Sequence, residues 1–505
     1  MNNPWLHFQQ PIFKLSGSIA ERQERWLMDC LLCNQDSAWG SRYSFSSIGS
    51  VEEYQNRVPV VDYETLAPWI EKMANGEQAL LTGVPVVAFE KTGGSHSGGK
   101  LIPYTSRGLS DFRRELIGWL GSLIEQFQLH EGKAYWALSP AMAEPEITRS
   151  GIPVGAGDAV YLGEENLEAF ARLSAVPFSL AAVADIDHWQ LLTLYFLVCC
   201  PDLRLISVWS PSFLTSLLTA LHEKQSTLLA ILAEGGAVAG HELRANSDAL
   251  CRFQQYLTGQ NTRLLWPELA VISCWADASS QPLVMALSQQ FPGVHIQPKG
   301  LLSTEAIITV PDKNGKARLC LDSNFYEFLS DDGDICLSHE VTPGDEYRVI
   351  VTTNNGLYRY QTGDRVCCMS ASPDEVVLSF IGRSGVCSDL VGEKLSEPFV
   401  NHCLSKLKGF AALAPDSNSS GYVLLLDDAY RQQNESLLAS IEQHLCSNPQ
   451  YAYARRLTQL APLHHQFIHQ PVEQYLRWQY DKGKSPGDIK LPALFSNDSW
   501  RGVFS

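Results

Sequence analysis

A run of glycines, hydroxyls and one lysine follows a buried-strand pattern early in the chain. The apolar residues 84–89 predict the strand, and residues 92–100 spell Thr-Gly-Gly-Ser-His-Ser-Gly-Gly-Lys. Glycines let several backbone N–H groups turn toward one point, while hydroxyls and an ammonium group add further donors. Donors that converge in this way suit an anion, and the anion that we expect is the phosphate chain of a nucleotide.

Two common motifs are similar to this loop but differ from it at decisive positions. Gly94 to Lys100 has the spacing of the phosphate loop of P-loop NTPases, which requires Ser or Thr after the lysine to bind Mg²⁺. Leu101 stands there instead, and Pro103 does not suit the helix interior that the motif requires. The loop also resembles the nucleophile elbow of hydrolases, but His96 occupies the position of the reactive serine.

Further along the chain, four stretches carry residue types that nucleotide chemistry uses. Residues 300–305 are Gly-Leu-Leu-Ser-Thr-Glu, and the stretch 347–364 ends in Gly-Asp after two predicted strands. Lysines follow in Gly-Glu-Lys-Leu-Ser-Glu at 392–397 and in Gly-Asp-Ile-Lys at 487–490. Each stretch alone is also typical of an ordinary turn or of surface charge. In this order, however, they resemble the acyl-acid amido synthetases, a family of the adenylate-forming superfamily first known as auxin-responsive plant proteins. The C-terminal stretch is similar to that of bacterial members.

The resemblance implies a role for each stretch in binding ATP and Mg²⁺. Thr304 would hydrogen-bond the α-phosphate, and Glu305 would bind Mg²⁺. Asp364, at a predicted tight turn after a strand, would accept hydrogen bonds from both ribose hydroxyls. The residues assigned to ATP in this way are Thr92, Ser95, His96, Ser97, Lys100, Thr304, Asp364 and Arg383.

A lysine would complete the catalytic set together with Thr304. Lys394 would approach the α-phosphate when a mobile C-terminal domain closes. Lys490 is a second candidate for the same task, and spacing alone does not choose between the two. Trp209 and Phe213 are candidates for binding the acyl group, although they could equally belong to the hydrophobic core.

The sequence departs from the family pattern at three positions. Gly93 and His96 stand where the family usually has hydroxyl residues, and Ala306 replaces the usual glycine after the glutamate. Loss of a hydroxyl at Gly93 would remove one phosphate contact, while His96 could supply a donor in its place. A member that has lost activity therefore remains an alternative.

The elements around these stretches predict an α/β fold. A capping-box pattern at Ser18 to Glu21 opens a helix, and another helix should begin near Thr105. Apolar strands at 133–138, 203–209, 269–275 and 293–296 alternate with helices such as 189–200 and 213–232, which indicates a largely parallel sheet. Short strands from Glu346 onward indicate an added antiparallel β subdomain. We expect a large N-terminal ATP- and acyl-binding domain over 1–382 and a small α+β domain over 383–505.

Composition limits the partners and the compartment. A net charge of −17 over 505 residues disfavours nucleic acid and anionic membranes as partners. No apolar run reaches the roughly 18 residues of a membrane span, and no signal-peptide pattern opens the chain. Thirteen cysteines, many in apolar runs, favour a reduced cytoplasm over a disulfide framework. The resemblance suggests a monomer.

Together these observations predict an ATP-dependent amide-forming ligase. It would adenylate a small-molecule carboxylic acid, release pyrophosphate, and transfer the acyl group to an amino acid or another amine. Two alternatives remain open: an acyl-CoA ligase with the same first half-reaction, and a non-catalytic protein that binds acyl groups or nucleotides.

Overall fold

The computed structural model describes most of the chain. The described residues are 3–9, 16–91, 100–137, 146–155, 161, 163–383, 385–388, 390–391, 393, 395–416, 418–419, 421–431, 434–456, 460–484 and 489–504. They form two compact units. Unit 1 comprises residues 1–132, 143–174 and 298–380, and unit 2 comprises residues 133–142, 175–297 and 381–505.

In its described residues, unit 1 contains seven α-helices, most of them before residue 130. The first long helix begins as predicted, since Ser18 Oγ accepts a hydrogen bond from Glu21 N–H (3.4 Å) and the Glu21 carboxylate accepts one from Ser18 N–H (2.8 Å). The predicted helix after the glycine loop is also present, with Thr105 as its N-cap. The helices are Pro4–His7, Ile19–Asn34, Ala38–Arg42, Val51–Arg57, Tyr63–Ala74, Ser106–Phe127 and Glu164–Leu173.

Two sheets complete unit 1. The smaller sheet holds the strands on either side of the glycine loop, which pair antiparallel; its strand order is Leu101–Thr105, Val86–Lys91, Pro153–Val154, Glu146–Ile147. The larger sheet is the predicted antiparallel subdomain, extended by four strands that the sequence pattern missed. Its seven strands run in the order Thr309–Pro311, Ala317–Leu319, Val376–Arg383, Tyr360–Ala371, Glu346–Thr352, Phe325–Leu329, Ile335–Leu337.

One prediction for the larger sheet was wrong. We expected Gly363 and Asp364 to form a turn between two strands, but a single strand, Tyr360–Ala371, runs through them. Gly363 has a φ of +80°, and the pairing register with the neighbouring strand shifts between Arg348 and Ile350. The glycine therefore forms an irregularity within the strand, which changes its direction without ending its pairing.

Unit 2 is built on the predicted parallel sheet. Strands Lys133–Trp136, Leu203–Ser207 and Val271–Cys274 pair in parallel, and His295–Pro298 lies at the edge beyond the last of these. The predicted helix 213–232 is two helices that meet at Lys224, whose backbone (φ −94°, ψ 12°) departs from helical geometry. The helices of this part are Ile186–Val198, Pro211–Glu223, Gln225–Glu234, Ser247–Gly259 and Gln281–Gln290, with a hairpin of Gly236–Val238 and His241–Leu243.

The C-terminal part of unit 2 mixes helices and strands as predicted. A three-stranded sheet places Gly421–Asp427 between Ala411–Asp416 and His464–Ile468, and a hairpin pairs Cys387–Ser388 with Leu395–Ser396. The domain boundary at 382/383 stays a prediction. The helices are Glu397–Leu404, Asn434–Leu445, Pro449–Arg456 and Pro471–Asp481. Among the described helices of both units, none combines the length and the apolar character that crossing a membrane requires.

Candidate active site

The Ser-Thr-Glu stretch of unit 1 forms a tight turn. Ser303 N–H donates to the Ala306 carbonyl oxygen (3.0 Å), and Leu302 and Ile307 pair antiparallel on either side. Thr304 and Glu305 therefore occupy the tip of this turn, where neighbouring side chains can reach one ligand. Ser303 Oγ accepts a further hydrogen bond from Ala306 N–H (3.2 Å), which fixes the turn from within.

The strand that leaves the glycine loop anchors this turn. Tyr104 lies near the end of that strand and is only 3% exposed. Its hydroxyl donates a hydrogen bond to the Thr304 carbonyl oxygen at 2.6 Å. Burial raises the pKa of Tyr104 far above its ordinary value, so the hydroxyl keeps the proton that it donates.

Thr105, the next residue of the same strand, anchors the stretch 347–364. Thr105 N–H donates to Asn355 Oδ1 (3.0 Å), and Thr105 Oγ1 donates to the Asn354 carbonyl oxygen (2.9 Å). A Cβ on Gly108 would lie 1.9 Å from Asn355 Oδ1, so only glycine fits at this point of the helix. Tyr104 and Thr105 are consecutive residues of one strand. They thus connect the exit of the glycine loop to residues 300–305 and to the stretch 347–364.

Asp111 lies in the helix Ser106–Phe127 and holds the turn Asn354-Asn355-Gly356. Its Oδ2 accepts a hydrogen bond from Asn354 Nδ2 (2.6 Å), and its Oδ1 accepts one from Arg114 (3.0 Å). Burial raises the pKa of the Asp111 carboxyl to about 6, while the charge of Arg114 and the hydrogen bond from Asn354 act in the opposite direction.

Glu305 has the chemistry expected of a magnesium ligand that works together with bound phosphates. It is 4% exposed, and its charge, like that of Glu90, acts on Tyr104 by raising the pKa of that residue. Within the described ranges, no three His, Cys, Asp or Glu side chains gather closely enough to form a metal site by themselves. Mg²⁺ usually takes only one or two carboxylates and completes its shell with water and substrate phosphates, so a single buried glutamate fits.

Asp364 is buried inside the seven-stranded sheet, with 2% of its surface exposed. Its backbone N–H donates to Thr362 Oγ1 (3.1 Å), directly beside the Gly363 irregularity. In contrast, Arg359 of the same stretch has a structural role. It forms a buried ion pair with Glu327 (2.8 Å) and also donates to the carbonyl oxygens of Gln55 and Val58.

Lys100 is exposed at the exit of the glycine loop. Its ammonium nitrogen lies 5.0 Å from the centre of the Tyr63 ring, and Tyr63 Oη accepts a hydrogen bond from Leu101 N–H (2.9 Å). The other predicted phosphate ligands, Thr92, Ser95, His96 and Ser97, lie outside the described residues.

In unit 2, the candidate residues lie just beyond the carboxyl ends of two adjacent parallel strands. Trp209 follows strand Leu203–Ser207, and Trp275 follows strand Val271–Cys274. The ammonium nitrogen of Lys490 lies 4.6 Å from the centre of the Trp275 ring. The carboxyl ends of parallel strands are where open α/β sheets bind their ligands.

The charges of Lys490 and Arg383 both act on Glu397. Burial raises the pKa of the Glu397 carboxyl, while the positive charges of Lys490 and Arg383 and hydrogen bonds from the Ala493 and Leu494 backbone act to lower it. Two of the predicted site residues thus act on one partly buried carboxylate within this unit. Lys394, the other candidate lysine, lies outside the described residues.

The two acyl-binding candidates have different surroundings. Trp209 is partly exposed, and its ring lies 5.9 Å from that of Trp275. Phe213 is 2% exposed and packs against Trp189 in the core of unit 2 (5.8 Å between ring centres). Acyl binding by either residue stays a prediction.

Sequence reasoning missed the residues that position the site. The sequence marks Thr105 only as the start of a predicted helix, and it gives Tyr104 and Asn355 no separate role. Trp275 ended an apolar run, and nothing in that run indicated a partner for Lys490. The missing signal is long-range contact, which a single sequence does not contain.

Comparison with known proteins assigns the chain to a family. Three consecutive segments match the GH3 family N-terminal domain (residues 10–296), central domain (318–383) and C-terminal domain (393–499). The first segment alone covers more than half of the 505 residues. The chain belongs to the GH3 family. The family resemblance drawn from the sequence is thereby confirmed.

Individual GH3 proteins are distant in sequence but close in fold. The Arabidopsis thaliana protein indole-3-acetic acid-amido synthetase GH3.4 is 22% identical over 435 residues, which cover 78% of this chain and 71% of that protein. The structure of GH3.15 acyl acid amido synthetase superposes with a TM-score of 0.83 at 18% identity, over 96% of this chain and 93% of that one.

A solved CoA ligase structure shares the fold. A 2-hydroxyisobutyryl-CoA ligase in complex with 2-HIB-AMP, in the postadenylation state, superposes with a TM-score of 0.54 at 12% identity, over 99% of this chain and 98% of that one. At these identities, the solved structures show a common fold. The predicted fold class, an α/β protein with an added antiparallel sheet, is confirmed.

Proposed function

We propose that this GH3 protein is an ATP-dependent acyl-acid amido synthetase. The observation that carries the proposal is the pair of anchors on one strand: Tyr104 holds the Thr304 turn and Thr105 holds the Asn355 turn. Because the glycine loop precedes this strand directly, three stretches that nucleotide chemistry would need are tied to one element. The GH3 membership and the amido synthetases among its relatives support the same reaction.

The reaction would proceed in two steps, adenylation of the acid and transfer of the acyl group. A carboxylate oxygen of the acid attacks the α-phosphorus of ATP, the bond to the β-phosphate oxygen breaks, and acyl-AMP and pyrophosphate result. The neutral amine nitrogen of an amino acid then attacks the acyl carbon. The bond to AMP breaks, the amine loses a proton, and an amide and AMP are released.

Each candidate residue would act on a stated part of ATP. The loop hydroxyls with His96 and Lys100 would bind the phosphates, Thr304 would contact the α-phosphate, and Asp364 would accept hydrogen bonds from the ribose hydroxyls. Donors fixed in advance around developing charge are an effective form of catalysis because they need no rearrangement during the reaction. Mg²⁺, held by Glu305, would neutralise charge on the phosphates.

Lys490 and Arg383, both in unit 2, would supply positive charge that acts on ATP. We favour Lys490 over Lys394 for adenylation because the Lys490 ammonium group lies against Trp275, just beyond the carboxyl end of a parallel strand, where open α/β sheets bind their ligands. The division into residues 1–382 and 383–505 belongs to this proposal as the arrangement that would let the smaller domain move.

We also propose a cytoplasmic, monomeric protein. All thirteen cysteines are free thiols, six of them buried and none paired with another, and this supports a reducing compartment. A reporter fusion would test the compartment, and sedimentation would test the monomer.

ATP–pyrophosphate exchange with a panel of carboxylic acids tests the first half-reaction. Product analysis with an amino-acid mixture or with CoA then tests the second. Exchange followed by an amino-acid conjugate supports the proposal. A CoA-dependent thioester without any conjugate would replace it by the acyl-CoA ligase alternative, which the superposition with a CoA ligase keeps under test.

A further inference from the structure

Lys490 lies against an aromatic surface made by two tryptophans of unit 2. Its ammonium nitrogen is 4.6 Å from the centre of the Trp275 ring. The Trp275 ring lies 5.9 Å from that of Trp209. Trp is the aromatic side chain that attracts a cation most strongly, because the face of the indole ring carries negative charge density.

This aromatic surface is held by the parallel sheet. Trp275 N–H donates to the Trp209 carbonyl oxygen at 2.8 Å, which continues the pairing of strands Leu203–Ser207 and Val271–Cys274 beyond their ends. Trp275 is partly buried, whereas Lys490 is exposed. The ring is therefore the fixed partner, and the lysine is the partner that can move.

The backbone that carries Lys490 is also fixed a few residues further on. Ala493 N–H donates to Glu397 Oε1 (3.2 Å), and Leu413 N–H donates to the Ala493 carbonyl oxygen (2.8 Å). These bonds hold the backbone of the segment after Lys490. A lysine side chain has many rotamers, so a ring that holds its ammonium group in one direction affects where the charge points.

We propose that Trp275 is a positioning residue that directs the Lys490 ammonium group during acyl adenylation. The proposal rests on the proposed function, since it gives Lys490 the role of the adenylation lysine. Trp275 acts through Lys490: it holds the ammonium group over its ring and thereby lowers the number of side-chain arrangements in which the charge points elsewhere.

A double-mutant cycle measures this coupling through the rate of ATP–pyrophosphate exchange. Trp275→Leu should lower kcat roughly twofold to fivefold, the range expected for a partly exposed cation–π contact, and should leave the KM for ATP unchanged. Trp275→Phe should lose less, because a ring remains. In a Lys490→Ala background, Trp275→Leu should cause no additional loss. An equal loss in both backgrounds, or a rise in KM without a change in kcat, would overturn the proposal.

The chain offers a matched control for the tryptophan. Lys482 lies over the ring of Trp478 in the same unit, with 3.4 Å between its ammonium nitrogen and the ring centre, and neither residue belongs to the proposed site. Trp478→Leu removes the same kind of contact and should leave exchange unchanged. An equal loss of kcat in Trp478→Leu would show a general effect of losing a tryptophan and would contradict a specific role for Trp275.

A second readout does not depend on enzyme activity. Acetylation by an amine-reactive ester, followed by mass spectrometry of the full-length chain, reports the reactivity of individual lysines. Trp275→Leu should raise the labelling rate of Lys490 and leave that of Lys482 unchanged, and Trp478→Leu should do the reverse. Absence of exchange in the wild-type protein would refute the proposed function, whereas unchanged Lys490 labelling in Trp275→Leu would refute the contact itself.

Discussion

The Tyr104 hydroxyl donates a hydrogen bond to the carbonyl oxygen of Thr304 at 2.6 Å. The two residues are 200 positions apart in the chain. The bond joins the strand that leaves the glycine loop to the turn that presents Thr304 and Glu305. Geometry at the proposed α-phosphate and magnesium positions therefore depends on a tyrosine that contacts neither ligand in our account.

Removal of this bond should impair adenylation. Tyr104→Phe leaves the Thr304 carbonyl oxygen without this donor, which costs about 1–3 kcal/mol for a buried group. We expect exchange to slow by about tenfold, since 1.4 kcal/mol corresponds to one factor of ten. Tyr358→Phe is the matched control, because Tyr358 is also fully buried and donates to a carbonyl oxygen, that of Leu81, at 2.8 Å. Both variants should lose thermal stability, and equal exchange rates in the two would contradict the positioning role of Tyr104.

Loss of the Asp364 carboxylate should weaken nucleotide binding. Hydrogen bonds to a charged group contribute about 1.5–3 kcal/mol, so the Kd for ATP of Asp364→Ala should rise roughly tenfold to 100-fold. Isothermal titration with ATP measures this directly. Asp331→Ala is a suitable control, since Asp331 is an exposed acidic residue that pairs with Arg365 next to Asp364. An unchanged Kd in Asp364→Ala would remove this residue from the ribose site.

Alanine variants of the two candidate lysines should differ in their exchange rates when exchange and ATP affinity are both measured. Lys490→Ala should slow exchange on the order of 100-fold, the loss typical of one group that stabilises transition-state charge, and should leave ATP affinity largely intact. Lys394→Ala should have the smaller effect on exchange, and Lys482→Ala should have none. A larger loss in Lys394→Ala would transfer the adenylation role to that lysine.

Asp111 should make stability depend on pH. Burial raises the pKa of its carboxyl to about 6 in the folded chain, against 3.8 as the ordinary value. A carboxyl that holds its proton more tightly when folded stabilises the fold below pH of about 4, and this contribution is lost as the pH rises through about 6. The unfolding free energy of the wild type minus that of Asp111→Asn should therefore fall between these pH values and remain level above them. Denaturant titrations across this range test the prediction, and a constant difference would contradict it.

Sequence patterns predicted most elements but few of the contacts between them. The capping box at Ser18, the helix after Thr105 and the parallel strands all follow from local preferences, which a sequence displays directly. The Gly363 irregularity was not predictable, because glycine and aspartate are typical of a chain reversal and only pairing with a neighbouring strand keeps the chain extended here.

The residues of the candidate site show the same difference between local sequence patterns and long-range contacts. The motif residues Thr304, Glu305 and Asp364 could be chosen from the sequence because the family pattern names them. Tyr104, Asn355 and Trp275 could not, since each contributes through a contact that spans 200 or more residues. Arg359 shows the reverse case: it belongs to the most specific stretch, yet it forms a buried ion pair with Glu327 inside the fold.

The central claim is that this GH3 protein forms an acyl-adenylate and passes the acyl group to an amine. The most direct test is ATP–pyrophosphate exchange by the full-length wild-type chain with a panel of aryl, indole and aliphatic acids, with Asp364→Ala measured in parallel. We predict exchange that depends on one class of acid and on Mg²⁺ and that is weakened in the variant. Addition of amino acids should then yield an amide. Absence of exchange with every acid would contradict it.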